Sequence, residues 1–153
     1  PKIYNADGSV CAPYCRRPSV WNMTLGAFED KRYRVSKQNI AGEVYRVYGC
    51  CMLLRNEAMA EIDCMDERTF LYGEEAILSE RLMQKSYRTY YDPIVSITHL
   101  GSESIKRAST DSKKRQLFEQ EKSRKLYLKE YRQFSLVEIW FCNVIRRLIG
   151  SVR

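Results

Sequence analysis

Hydrophobic and polar positions divide the chain into short segments of strand-like or helix-like pattern. Residues 2–4 (Lys-Ile-Tyr) look extended, and the Asp7-Gly8 pair after them is typical of a hairpin turn. Apolar residues with loosely helical spacing predict a short helix over residues 20–28. Residues 29–43 are polar and charged without a period, which predicts a mobile loop.

The middle of the chain carries the strongest apolar pattern. Residues 44–54 are rich in β-branched, aromatic and cysteine side chains, which predicts a buried strand. A short helix is predicted over residues 56–62, with Asn56 as its cap. A second helix is predicted from the acid pair Glu74-Glu75 onward, with its apolar face at Ala76, Ile77, Leu78, Leu82 and Met83. The polar residues expected outside that face are Ser79, Glu80, Arg81, Gln84 and Lys85.

Two short strands are predicted at residues 88–91 and 94–98, and His99 stands where the second strand ends. Because α/β proteins bind ligands at strand ends, this position favours a functional role for the only histidine of the chain. The alternative is a hydrogen-bonded structural histidine, which is the commoner case for a lone imidazole.

Two helices are predicted in the C-terminal tail. Sparse apolar positions predict a charged helix over residues 113–131. Ser135 and Glu138 then form a capping box that opens an apolar helix over residues 136–149. The aromatic and basic content of this second helix suits a helix lying in the headgroup region of a membrane. The alternative is a helix packed on the core of the domain.

Composition limits the chain to one soluble, globular domain-sized core, because it has 153 residues and 44% hydrophobic content. We expect no signal peptide or membrane-spanning helix, since no apolar run is long enough. Residues 1–99 hold 13 basic and 13 acidic side chains, whereas residues 100–153 hold 13 basic and 6 acidic ones. The net charge of +7 therefore belongs to the tail, and it indicates an anionic partner or a solvated basic face.

The six cysteines show neither a C-x-x-C pair nor a regular spacing, which favours thiols in a reducing compartment. A zinc site that includes Cys11 and Cys15 is a weaker alternative, because the chain has only one histidine to complete it.

The acid pair Glu74-Glu75 has two interpretations. Acidic residues are favoured in the first turn of a helix because they complement its dipole, and this requires no function. The order of motifs around the pair favours a second interpretation. The pattern begins with a strand that carries Gly-x-Cys-Met-Leu-x-Arg, followed by Phe-Asp-Glu-x-x-Phe-Leu-Tyr and by Gly-Glu-Asp. It continues with Gly-Tyr-Arg and a proline. It ends with a strand that finishes in histidine, and a serine follows that strand. The corresponding positions here are residues 49–55, 65–72, 73–75 and 86–88, then Pro93, His99 and Ser104.

In this order and spacing, the stretch from Gly49 to Ser104 resembles the acceptor half of family 2 glycosyltransferases of the GT-A fold. The nearest patterns are those of bacterial rhamnosyl- and galactofuranosyltransferase-like enzymes of surface polysaccharide synthesis. The N-terminal residues 1–9 and 16–18 also resemble segments of these enzymes, and the tail resembles them weakly. The resemblance implies an α/β fold: residues 1–111 as the C-terminal, acceptor-side part of a Rossmann-like GT-A domain with a mixed sheet, and residues 112–153 as a basic helical tail.

The resemblance also implies a reaction and roles for residues. An inverting transfer moves a sugar from a nucleotide-sugar donor to a saccharide acceptor, including lipid-linked acceptors. Glu75 matches the catalytic base, and Glu74 beside it shapes the pocket or holds the base. The family has Asp at this base position, and the extra methylene of Glu75 shifts the carboxylate by about 1.5 Å. The residues that match the acceptor site are Gly49, Asp66, Tyr72 and Gly73, and His99 matches a metal ligand.

The chain contains no Asp-x-Asp motif, the carboxylates that in the family hold the divalent metal (Mg or Mn) at the donor site. We therefore expect a fragment that lacks the donor-binding half and is inactive alone. We expect it in the cytoplasm at the inner face of a bacterial membrane, bound to anionic lipid through the tail, with no nucleic-acid partner. The alternative function is a non-catalytic basic module that binds membrane or nucleic acid, although the chain lacks a nucleic-acid motif.

Overall fold

The computed structural model describes residues 1–11, 16–69, 72–100 and 110–150. Within these ranges it forms a mixed α/β structure, which confirms the expected α/β class. Ser104, the last position of the family-like pattern, and Cys15 of the alternative zinc site lie outside the described residues.

A small mixed sheet is built around the N-terminal strand. Strand β1 (Lys2–Asn5) forms the predicted hairpin with β2 (Val10–Cys11), and Gly8 in the turn has a φ of 80° that favours glycine. On its other side β1 pairs in parallel with β5 (Ser96–His99), so that Asn5 lies opposite His99. The predicted strand before His99 is thus confirmed, and its pairing places the histidine at one end of this sheet.

The segment predicted as a loop is largely helical. Residues 20–26 form turns, and α1 (Ala27–Lys37) occupies most of the range 29–43, so the predicted helix over 20–28 and the predicted loop were both wrong. Helix α1 contains two arginines and two lysines, which favour helix, and it has few apolar residues from which an apolar face could be recognised. Strand β3 (Gly42–Val44) follows and pairs antiparallel with β4 (Thr89–Tyr91).

The buried strand predicted over residues 44–54 was also wrong. Only β3 is extended in a sheet here, and residues 45–55 have no helix or strand. No described strand pairs with them, and Leu53 is fully exposed. Apolar composition could not reveal this, because a strand also needs a partner for its backbone N–H and C=O groups. We call residues 45–50 the strap, because they contact the N-terminal half of the long helix α3 (Glu74–Gln84) through Tyr45 and Gly49.

The central element is helix α3 (Glu74–Gln84), which confirms the predicted helix there. One side packs Leu78 and Leu82 against Ala58 and Ile62, in and beside the short helix α2 (Asn56–Glu61). Helix α2 confirms the predicted short helix, but Asn56 is its first helical residue rather than its cap, and the preceding Arg55 makes no side-chain capping bond.

The other side of α3 packs against the C-terminal helices. Helix α4 (Thr110–Leu126), a π-helical turn (Tyr127–Tyr131) and α5 (Leu136–Gly150) confirm the two predicted helices of the tail. The predicted capping box is present, since the Glu138 N–H donates to Ser135 Oγ and the Ser135 N–H donates to the Glu138 carboxylate. The shared core consists of Ala76, Ile77, Tyr127, Leu128, Phe134, Ile139 and Cys142.

The tail therefore packs on the domain through one face of α5, as the second interpretation expected. The opposite face is exposed and apolar, and it is formed by Leu136, Val137, Trp140, Phe141 and Leu148. The domain boundary at residue 111 stays a prediction. Among the described helices, none combines the length and hydropathy needed to cross a bilayer.

Candidate active site

The acid pair is presented by a tight turn at the start of α3. Tyr72 and Gly73 both have left-handed backbone conformations, with φ of 65° and 91°. Such a conformation is uncommon for a bulky residue like tyrosine, and outliers of this kind concentrate at functional sites. Glu74 and Glu75 then form the first turn of the helix, where its dipole favours negative charge.

The Glu75 carboxylate is held by the strap. The Gly49 N–H donates a 3.0 Å hydrogen bond to Glu75 Oε1. A Cβ at position 49 would lie 2.8 Å from the same oxygen, so this close approach requires glycine. The hydrogen bond occupies one carboxylate oxygen, and no described residue donates to the other. Glu75 can therefore still accept a proton at Oε2.

A cavity of about 590 Å³ brings most of the predicted site residues together. Its walls come from β1, the strap, the start of α3, the end of β5, α4 and the π-helical turn. The Tyr72 hydroxyl, at the turn before α3, hydrogen-bonds to Gln116 of α4. The predicted site residues that line the cavity are Gly49, Tyr72, Gly73, Glu75 and His99.

Two predicted site residues lie elsewhere. Asp66 is not among the residues that line the cavity; its carboxylate accepts hydrogen bonds from Arg68 and from the Tyr131 hydroxyl. The bond from Arg68, followed by that from Tyr131, outweighs burial and holds the pKa of Asp66 well below its ordinary value. Glu74 also lies outside the lining, and its Oε2 is buried without a hydrogen-bond partner in the described part of the chain. The roles assigned to Asp66 and Glu74 stay predictions.

A buried carboxylate behind the cavity was missed by the sequence analysis. Glu80, which was expected outside the apolar face of α3, is only 1% exposed, and the expectation that Ser79 lies outside is wrong as well. The Glu80 carboxylate accepts two hydrogen bonds from Arg17, of 2.9 and 2.5 Å, and one of 2.8 Å from the Tyr45 hydroxyl. Arg132 lies 3.5 Å from the same carboxylate. These cationic and hydroxyl donors stabilise the buried charge.

The Glu80 cluster (Arg17, Tyr45, Glu80, Tyr127 and Arg132) joins the segments that form the cavity. Tyr45 belongs to the strap, and its hydroxyl lies 2.5 Å from that of Tyr127. Both tyrosines line the cavity. Arg17 is adjacent in sequence to Arg16, which also lines the cavity. Glu80 shares a helical face with Ala76 and Ile77, one turn before it, and that register is the signal that could have indicated its burial.

Burial and hydrogen bonding shift the ionisation of this cluster. Burial alone would raise the pKa of the Glu80 carboxyl, but the bonds from Arg17 and Tyr45 and nearby positive charge hold it below its ordinary value. Burial raises the pKa of Tyr127 to about 12. Burial, followed by the proximity of Tyr127, raises the pKa of Tyr45 further.

The cavity wall is cationic. Its lining residues include Arg16, Arg46 and Arg124, and Glu75 is the single acidic residue among them. The excess of positive charge lies in the tail, whereas Arg16 and Arg46 lie in the part of the sequence whose charges balance, so charge counting does not single out these residues. They come from three separate segments, and only the fold brings them to one cavity.

A second cavity, of about 630 Å³, lies on the other side of Glu75. It is mainly apolar and is bordered by α2, α3, β4 and residues 51–55. Glu75 and Val47 line both cavities. The carboxylate thus lies in a wall between the cationic cavity and a second cavity, in whose lining two arginines (Arg55 and Arg88) are balanced by two acidic residues (Glu75 and Asp92).

The described residues do not form a metal site by themselves. No group of three His, Cys, Asp or Glu side chains suited to a metal ion occurs among them. His99 could supply one ligand, but further ligands would have to come from outside the described residues. No chemical step is therefore assigned to a metal here, and the role of His99 as a ligand stays a prediction.

Comparison with known proteins shows a distant similarity to a sugar-transferring enzyme. The chain is 26% identical over 121 residues to N-acetylglucosaminyl-diphospho-decaprenol L-rhamnosyltransferase from Mycobacterium tuberculosis, in strains CDC 1551 / Oshkosh and ATCC 25618 / H37Rv. The matched region covers 70% of this chain and 38% of the relative, so the chain corresponds to well under half of that enzyme. No protein-family model matches the chain, and no solved structure matches it significantly.

Proposed function

We propose that this chain forms the acceptor-side part of an inverting glycosyltransferase that acts on a nucleotide-sugar donor and a saccharide acceptor in cell-surface polysaccharide synthesis. The observation that carries the proposal is the convergence of Gly49, Tyr72, Gly73, Glu75 and His99 on one cavity. These residues are spread over fifty positions of the sequence, and each is a site residue that the family resemblance predicts. The similarity to a rhamnosyltransferase supports the same class of reaction.

Glu75 acts as the general base in this proposal. The acceptor hydroxyl attacks the anomeric carbon of the donor sugar, its proton passes to Glu75 Oε2, and the bond from that carbon to the diphosphate breaks. The leaving diphosphate takes the bonding electron pair, and attack from the opposite face inverts the configuration. The Gly49 N–H fixes the carboxylate during this step through its bond to Oε1.

The donor-binding part belongs to a GT-A domain completed outside this chain. Two facts support this proposal: the sequence lacks an Asp-x-Asp motif, and the relatives are much longer than the matched region. A divalent metal, Mg²⁺ or Mn²⁺, would be held mainly by carboxylates of that part, with His99 as an additional ligand. When bound, such a metal supplies positive charge that stabilises the leaving diphosphate.

The acceptor in this proposal is lipid-linked, and α5 holds the protein against the membrane surface. The relative's name describes a sugar joined through diphosphate to decaprenol. The exposed apolar face of α5 includes Trp140 and is followed by Arg146 and Arg147. Apolar and aromatic side chains with nearby arginines suit an interfacial helix on anionic lipid. The protein would then be peripheral at the inner face of the membrane.

Product analysis tests the proposed reaction. A polypeptide that combines this chain with the donor-binding region would be incubated with nucleotide sugars and a prenyl-diphosphate-linked saccharide. NMR of the product should show a new glycosidic bond with inverted anomeric configuration. Retained configuration would contradict the inverting mechanism. Failure to transfer any sugar from a panel of nucleotide donors, with a folded protein, would contradict the proposed function.

A further inference from the structure

We infer that this chain itself contains a diphosphate-binding site, formed by Arg124 with Arg16 and Arg46 in the cationic cavity. The inference deepens the proposed function and rests on it for the identity of the diphosphate-bearing substrate. It also goes beyond that function, which assigns phosphate binding to the donor-binding part.

Arg124 is a partly buried cation with an incomplete set of partners. Its Nη1 hydrogen-bonds to Asn143 and lies 3.7 Å from the Glu121 carboxylate. Its Nη2 is buried and has no hydrogen-bond partner among the described residues. A buried guanidinium nitrogen without a partner costs free energy, so an anion that reaches it would gain a strong, charge-assisted hydrogen bond.

The position of Arg124 suits such an anion. Arg124 lines the cationic cavity. It follows Ser123, whose Cβ lies 3.5 Å from where a Cβ on Gly73 would be, so it sits beside the turn that presents Glu75. Burial, followed by the nearby charge of Arg146, lowers the pKa of Arg124, which indicates that its positive charge is poorly compensated. A bound anion would supply the missing compensation.

The other two arginines extend the site across the cavity. Arg16 is exposed, and its guanidinium stacks 4.6 Å from the centre of the Tyr33 ring, which fixes its orientation. Arg46 follows Tyr45, which the Glu80 cluster anchors. Guanidinium groups form directional hydrogen bonds to phosphate oxygens. Three arginines around one cavity therefore suit a diphosphate, which has many such oxygens, better than they suit a ligand with one carboxylate group.

Both substrates of the proposed reaction carry this chemistry. A nucleotide sugar contains a diphosphate, and so does a prenyl-diphosphate-linked acceptor. The first cavity could hold either, with the Glu75 carboxylate at its edge facing the reacting hydroxyl. The shared ligand class is therefore a diphosphate ester, and experiment can separate its two sources.

Isothermal titration calorimetry of the 153-residue chain tests the inference. Inorganic pyrophosphate is the primary probe, and its affinity should fall with added salt because the contact is electrostatic. The variants Arg124→Met and Arg16→Gln should each weaken binding about tenfold. Arg16 is exposed, so its substitution keeps the test valid even if Arg124→Met fails to fold.

Two control variants separate site effects from general ones. Arg146→Met removes an exposed cation that shares Glu121 with Arg124 but does not line the cavity, and binding should change less than twofold. Asn143→Ala removes the Nη1 partner while keeping the guanidinium, and binding should be retained. No binding of pyrophosphate, or equal binding by wild type, Arg124→Met and Arg16→Gln, would overturn the inference.

Uridine diphosphate and farnesyl diphosphate identify the source. Tighter binding of uridine diphosphate than of pyrophosphate supports a donor site, and tighter binding of farnesyl diphosphate supports an acceptor site. In either case Arg124→Met should remove the increase in affinity over pyrophosphate. An increase that survives this substitution would contradict the assignment of the site to this cavity. These titrations require no turnover, so the inference can fail while sugar transfer succeeds, and the reverse.

Discussion

At the scale of single residues, one hydrogen bond determines where the candidate base lies. Gly49 is close enough to Glu75 that any side chain at position 49 would collide with the carboxylate. Gly49 lies in a turn of the strap, where the Cys51 N–H donates to the Tyr48 carbonyl oxygen, and the close contact with Glu75 leaves little room for a side chain there. A substitution at Gly49 can therefore displace the Glu75 carboxylate while the carboxylate stays in the protein.

Gly49→Ala is expected to lower kcat of sugar transfer about tenfold or more, because a displacement near 1 Å is costly in a reacting geometry. The fold should survive, since the atom displaced is the end of a flexible side chain. Glu75→Asp shortens the side chain and relieves the collision. The double variant should therefore lose less activity than the two single losses multiplied together. Losses that simply multiply would show that the two positions act independently.

Glu80 is the second informative residue, because its role is structural. Glu80→Gln should reduce the free energy of unfolding by about 2 to 4 kcal/mol, since Arg132 and the Tyr45 hydroxyl lose a charged partner in a buried setting. Urea denaturation at pH 7 measures this. The matched control is Glu43→Gln, in an exposed pair with Arg88, which should cost less than about 1 kcal/mol.

The pH dependence of that difference is a separate test. The folded pKa of Glu80 is depressed below its ordinary 4.5, so its contribution is present above pH 4.5 and is lost as the pH falls through the folded pKa. The stability advantage of wild type over Glu80→Gln should therefore be constant near neutral pH and shrink in acid. Parallel stability curves down to about pH 2 would exclude this ionised carboxylate as the cause.

At the scale of elements, the sequence pattern predicted those helices and turns that are stabilised by residues close together in the sequence. Helices α2 and α3, the first hairpin and the capping box of α5 were predicted because each depends on residues close in sequence. Helix α1 was missed because it has few apolar residues among many charged ones. The strap was misread because Tyr45 packs on the core beside α3, and the Gly49 N–H bonds to Glu75 instead of to a neighbouring strand.

Helix α5 carries the membrane prediction. Trp140→Glu should weaken binding of the chain to anionic vesicles about tenfold, since it replaces an exposed aromatic ring with a charge at the interface. Leu53→Glu is the control, because Leu53 is even more exposed than Trp140 but lies outside α5. Vesicle co-sedimentation measures both. Binding that ignores anionic lipid and salt, or that survives Trp140→Glu, would show that α5 does not hold the chain at a membrane.

At the scale of the whole molecule, long-range pairing creates the site, and sequence pattern alone could not predict it. The parallel pairing of β1 with β5 brings His99 towards residues at the other end of the chain. The Glu80 cluster joins Arg17, the strap and the π-helical turn across more than a hundred positions. The resemblance selected the residues that line the cavity, but the three arginines and the Glu80 cluster became visible only in the fold.

Because the donor-binding part is proposed to lie outside this chain, we predict that the chain alone does not turn over nucleotide sugars. It supplies a base and a cationic cavity, but its sequence lacks the Asp-x-Asp carboxylates expected to hold the donor's metal. A coupled assay for released nucleotide diphosphate should show no activity above background for this chain. Measurable turnover by the purified chain would contradict the proposal that the donor site is completed elsewhere.

The central claim is that Glu75 accepts the proton from the acceptor, and its substitution tests that claim most directly. Glu75→Gln keeps an oxygen for the Gly49 N–H but removes the base, so single-turnover sugar transfer by the polypeptide that includes the donor-binding region should fall at least about 100-fold. Glu57→Gln, at an exposed position of α2 that lines neither cavity, serves as the control and should transfer sugar normally. Transfer by Glu75→Gln within a few-fold of wild type would contradict the account.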